Sequence, residues 1–159
     1  MELDGKTLIS PPPTVEVELV HEPARPGLGG RAWCALQVWT QNRIYDVDWG
    51  MRCFGVTDRE SGEPSPGHRL LGAHLAGGQV HGETALELTY PIPRPGVTAV
   101  FEVGEHPKLE YVMTSEVTRV VLRLRVFSVP DVADAAPKWQ ELGGLFRLTR
   151  PGYQDPNRR

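Results

Sequence analysis

The sequence predicts an all-β domain: a single antiparallel β-sandwich, jelly-roll-like, with one short C-terminal helix. Three observations carry that expectation. Apolar and polar residues alternate at period two in about eight short segments, the pattern of strands with one buried face. Gly 17 and Pro 15 in a chain of 159 residues fall mostly between those segments and supply turns. No long segment repeats its apolar residues at the helical period, so the crossover helices that parallel sheets need are absent from the pattern.

The length fits one domain. Residues 1–13 end in Pro11, Pro12 and Pro13 and form a stiff, extended lead-in. The sandwich is expected over residues 14–150, and residues 151–159 form a flexible polar tail. In chain order, Val15, Val17 and Leu19 alternate with Glu16 and Glu18, which predicts a strand with one wet face. Residues 22–31 are a proline- and glycine-rich loop, and residues 32–39 a buried strand. In residues 43–49, Tyr45, Val47 and Trp49 point inward while Asp46 and Asp48 are solvated and guard a sheet edge. Strand character continues from Met51 to Val56 and breaks at the turn that starts at Thr57.

Residues 69–83 mix leucines with glycines, and irregular structure is expected there. Residues 85–90 are a strand that must stop at Pro91, because proline has no amide to donate. Val97 to Val103 and Leu109 to Met113 are further strands. Residues 117–129 are the best strand in the chain, with Val120, Leu122, Leu124 and Val126 on the core face. After Pro130 comes a short helix near residues 137–143, with Pro137 at its first position and Gly143 and Gly144 as its stop. Leu145 to Leu148 are expected to form a last short strand.

Composition narrows the function classes. Lys plus Arg 17 against Asp plus Glu 20 gives a net charge of -3, which argues against a protein whose main task is to coat nucleic acid or an anionic membrane. The N-terminal segment is acidic where a signal peptide would be basic, and no run of about 18–20 apolar residues is present to cross a bilayer. A cytoplasmic, membrane-free protein is expected, with Cys34 and Cys53 as small buried hydrophobes.

Three constellations are candidate sites. His74, His81, Glu83 and His106 are the residue types that hold a transition metal in a double-stranded barrel. Such barrels place two histidines one residue apart, whereas six residues separate His74 from His81, so no metal is favoured. Asp46 and Asp48 form a D-x-D pair but lack the further oxygen ligands of a calcium loop. Arg119, Arg123, Arg125 and Phe127 share one strand face and form a candidate binding surface; the competing expectation is that they pair with acids on a neighbouring strand, from Glu16, Glu18 or Glu87. Ser61 and Ser65 sit outside any nucleophile elbow, and neither cysteine has a setting that would lower its pKa.

With no acid–base or nucleophile set in view, the expected function is non-enzymatic: a binding or assembly module that works through a protein partner or a homo-oligomer, without cofactor or nucleic acid. Residues 145–148 are expected to dock on a neighbouring subunit by strand addition, anchored by Phe146. The alternative is a cupin-like metal-dependent enzyme or small-ligand-binding protein using the histidines.

Overall fold

The longest alternating stretch in the chain organises the fold. It forms one 19-residue strand, β8 (Glu110–Ser128), where the sequence suggested two. The two halves join through an extra residue opposite Thr98 and Val100, a bulge that lets the strand bend without ending. Inside it the Thr114 hydroxyl accepts the Ala99 amide at 3.1 Å and donates to the Ser115 carbonyl at 2.7 Å, so the hydroxyl serves a backbone group at the irregularity. The structure is a computed structural model and describes residues 14–23 and 33–149, with the backbone alone for 145–149. The expected lead-in and tail lie outside the described residues, as do residues 24–31 of the expected loop; Glu22 and Pro23, expected in that loop, are the end of the first strand.

Eight strands pair into one sheet: β1 (Glu16–Pro23), β2 (Leu36–Thr40), β3 (Arg43–Val47), β4 (Cys53–Asp58), β5 (His74–His81), β6 (Leu86–Thr89), β7 (Thr98–Val103) and β8. Their order is β4-β3-β2-β8-β7-β5-β6, antiparallel throughout, and β1 adds to β8 in parallel. The all-β, antiparallel character and the single C-terminal helix agree with the sequence. No helix among the described residues is long and apolar enough to cross a membrane.

The sheet curls until its far parts touch. Arg52 bridges His74, Leu75 donates its amide to the Met51 carbonyl at 2.7 Å, and Cys53 donates to Ala73 at 2.9 Å. The inward residues of six strands fill the space this encloses. Val38, Val47, Phe101, Val117 and Val120 are fully buried, and the Tyr45 ring lies 5.5 Å from that of Phe101.

Several expectations need correction. Residues 74–81 form a strand with one bulge between Leu75 and Gly77, and its glycines are there for space. A Cβ on Gly78 would lie 2.7 Å from Val97 and 2.9 Å from Pro93; on Gly77, whose φ is +145°, it would lie 2.3 Å from the Thr89 carbonyl oxygen. Two strands approach too closely for any side chain at that point. Asp46 is not on an edge, because β3 runs between β2 and β4; its carboxylate is half-buried and accepts the Gln37 amide at 2.9 Å. Asp48 accepts the Arg52 amide at 3.0 Å, and Trp49 is exposed. Leu124 is 36 % exposed although it shares the core face with Val120, while Val121 on the opposite face is buried.

The C-terminal helix α1 (Ala135–Thr149) runs through Gly143 and Gly144 and takes in residues 145–148, so no strand forms there. Glycine ends a helix where it adopts a left-handed conformation, and inside one it costs only about 1 kcal/mol. Trp139 and Leu142, three apart, already follow the helical spacing. Strand addition by residues 145–148 therefore has no strand to rest on in this structure.

Candidate functional site

The three candidate arginines lie where period two puts them, on one face of β8. Parallel pairing sets β1 alongside, Glu18 next to Arg123 and Glu22 next to Phe127. Arg119 donates to the Glu16 carboxylate, Arg123 reaches Glu18 at 3.3 Å, and Arg125 holds one Glu22 oxygen with two donors at 2.9 and 2.7 Å. The bond from Glu16 raises the Arg119 pKa above its usual value. This is the expected cross-strand pairing with Glu16 and Glu18; Glu87 instead pairs with Arg94 at 2.8 Å.

Aromatic rings complete the row. Arg119 and Arg59 stand over Trp39 at 5.2 and 5.6 Å. Arg123 and Arg125 stand over Trp33 at 5.0 and 4.4 Å, and Arg125 and Lys138 over Phe127 at 5.2 and 5.1 Å. The sequence reading missed Trp33, Trp39, Arg59 and Lys138. The signal was present, because Trp33, Ala35, Gln37 and Trp39 share one face of an extended chain. Each of the three guanidinium groups thus has both a carboxylate and an aromatic ring as partner. The three β8 arginines are matched by three β1 glutamates, and these pairs hold the two strands together. Phe146 lies in α1, and its side chain is outside the described residues.

The histidines do not converge. His74 opens β5 and His81 closes it, about 23 Å apart at ~3.3 Å per residue. Glu83 lies in the turn after β5 and His106 in the turn between β7 and β8. No group of three or more His, Cys, Asp or Glu side chains among the described residues is placed to hold a metal ion.

A cleft of about 470 Å³ opens where the curled sheet meets itself, lined by Arg52, Arg69, His74, Glu102 and Glu105 among others. The buried His74 Nδ1 has no hydrogen-bond partner among the described residues and lies 3.8 Å from the Glu102 carboxylate. The thiols supply no nucleophile: burial pushes the Cys34 pKa up to about 11, helped by Asp46, and that of Cys53 to about 12.

Exposed apolar side chains also lie on the outer face of β6 and of the first part of β8, on either side of β5 and β7. Register puts Leu88 beside Gln79 and Gln79 beside Thr98, and the Gln79 amide reaches across to the Met113 sulfur at 2.8 Å. On this face Leu86, Leu88, Tyr90, Leu109, Tyr111 and Met113 are between 40 % and 87 % exposed. The other faces of these strands carry the core residues Leu75, Ala99 and Phe101. Between the β6 and β8 groups the outer face carries Gln79, His81, Thr98 and Glu102, so the exposed apolar side chains form two groups, and no described element covers either.

No protein-family model, curated protein or solved structure matches this chain.

Proposed function

We propose that this chain is a non-enzymatic binding or assembly module that docks a protein through the outer face of β6, β5, β7 and β8. The observation that carries the reading is the row Leu86, Leu88, Tyr90 with Tyr111 and Met113 facing solvent. Isolated exposed apolar residues are ordinary, but two groups on one sheet face, bridged by polar residues, suit an interface with an apolar core and a polar surround. Tyr and Met are among the residues enriched in such interfaces. In the finer architecture we favour, β8 is shared between two layers of a jelly-roll-like sandwich, with the docking face on the outside of one layer.

The test is site-specific cross-linking in cells. A photoreactive residue at Leu88 or Tyr111 should join the chain to one discrete protein, another copy or a different chain. The same residue at Glu60, in the turn after β4, should not. Equal cross-linking at all three positions would sink the proposal.

A second reading rests on the His74 cleft: a small-ligand-binding protein whose ligand supplies the hydrogen bond His74 Nδ1 lacks. A thermal-shift screen of small amines and carboxylates addresses it. Stabilisation that disappears in His74→Ala supports this reading over the first.

A further inference from the structure

We propose that β1 is a second, separate docking element, which accepts an added strand from a partner in which apolar residues alternate with lysine or arginine. This goes beyond the outer-face reading and involves a different edge of the sheet. Among the described residues β1 pairs only with β8, so its other edge is open. It pairs without a register shift from Glu16 to Pro23. An edge of that length offers a row of main-chain donors and acceptors for strand addition.

The side chains define the partner. Val17 and Leu19 project from one face at 58 % and 57 % exposure. Glu16 and Glu18 project from the other, with side chains 50 % and 53 % exposed even though each already meets an arginine. A strand laid on this edge therefore meets apolar side chains on one face and carboxylates on the other. The chain already contains one solution to that problem. Arg119, Arg123 and Arg125 of β8 answer the glutamates, and Leu122 and Leu124 lie beside Val17 and Leu19. A partner strand of the same chemistry would place a second basic row outside the acidic one.

A second copy of β1 is a poorer occupant. Any pairing that keeps apolar faces together also sets glutamates on the same face as glutamates, and like charges directly opposite destabilise a pair. Acidic residues on an edge discourage self-pairing, and the same carboxylates favour a basic strand.

The test uses the full chain and two labelled eight-residue peptides, one alternating valine with arginine and its twin alternating valine with glutamate. Fluorescence anisotropy should show the arginine peptide binding at least tenfold more tightly, and weakening as salt screens the charges. N-methylation of every second amide on the bonding side should abolish the binding. Val17→Asp and Glu18→Gln should each reduce it, with the fold checked by circular dichroism; Leu88→Asp should leave it unchanged. Equal binding of the two peptides, no binding of either, indifference to N-methylation, or loss only in Leu88→Asp would each overturn the proposal. Loss only in Leu88→Asp would move the peptide to the outer face, and the other outcomes do not bear on cross-linking at Leu88, so the two docking proposals can be told apart.

Discussion

The curled body and the β1 flank are built from the same kind of sequence and end in opposite states. In the body, Val38 and Val120 face each other across β2 and β8 and are fully buried. A few residues along the same face of β8, Leu124 pairs with Leu19, and both are substantially exposed. The alternation is equally regular in both regions. What differs is closure: the body is roofed by the strands that meet at Arg52 and His74, and no described element covers the flank. Alternation thus tells which side of a strand is apolar, and topology decides whether anything lies over it.

The contrast can be broken at its strongest point first. Phe101→Ala removes a fully buried ring and should cost about 3–5 kcal/mol. Leu19→Ala should stay within about 0.5 kcal/mol, as exposed positions do. Urea midpoints measure both. A large loss at Leu19 would mean that the flank is covered after all and belongs to the core.

Next in size is the close approach at the two glycines of β5. Gly77→Ala forces a Cβ against the Thr89 carbonyl oxygen in a left-handed conformation, and Gly78→Ala forces one between Val97 and Pro93. Each should cost about 1–3 kcal/mol by overpacking. If alanine is accepted at both sites without a change in melting temperature, the strands there do not lie as close as described.

A smaller difference separates the ion pairs of the flank. Arg125 and Glu22 are mostly buried and joined by two donors, whereas Arg119 and Glu16 are about half exposed. A double-mutant cycle should give Arg125 and Glu22 a coupling of up to about 1 kcal/mol. The Arg119 and Glu16 coupling should be the weaker one and should fade first with salt. The reverse ranking would show that exposure does not govern this row.

Much of this fold was legible in the sequence because alternation and proline are local signals. The strand of residues 85–90 and its end at Pro91 followed from period two and a missing amide, and the longest alternation did become the strand that the sheet is built on. The acidic face of β1 pointed to the arginines of β8 because both have the same period. The β5 strand was hidden because its glycines answer to Thr89, Val97 and Pro93, which are distant in sequence. Helix α1 was cut short because Gly143 and Gly144 look like a stop when no tertiary context is visible. The apolar outer face went unseen for a related reason: Leu86, Leu88 and Tyr90 alternate as core residues do, and only the assembled sheet shows which face looks outward.

The two cysteines test the comparison most gently, since they report opening without perturbing it. Cys53 sits in the body, buried, and Cys34 sits half-buried beside the flank, its thiol 3.4 Å from Asp46. Both thiol pKa values are raised from 9.0 chiefly by burial, to about 12 and about 11. The thiolate is the reactive form, so in the native state near pH 8 ionisation alone should slow alkylation of Cys34 by about 100-fold relative to a free thiol. The sign also extends to stability. A thiol whose folded pKa is raised favours the protonated form, so it weakens the fold as pH climbs above 9 and has no effect below it. If the flank opens on its own, low urea should release Cys34 to alkylation well before Cys53, with a shallower dependence on denaturant. Identical urea dependence at the two cysteines would show that body and flank unfold as one unit.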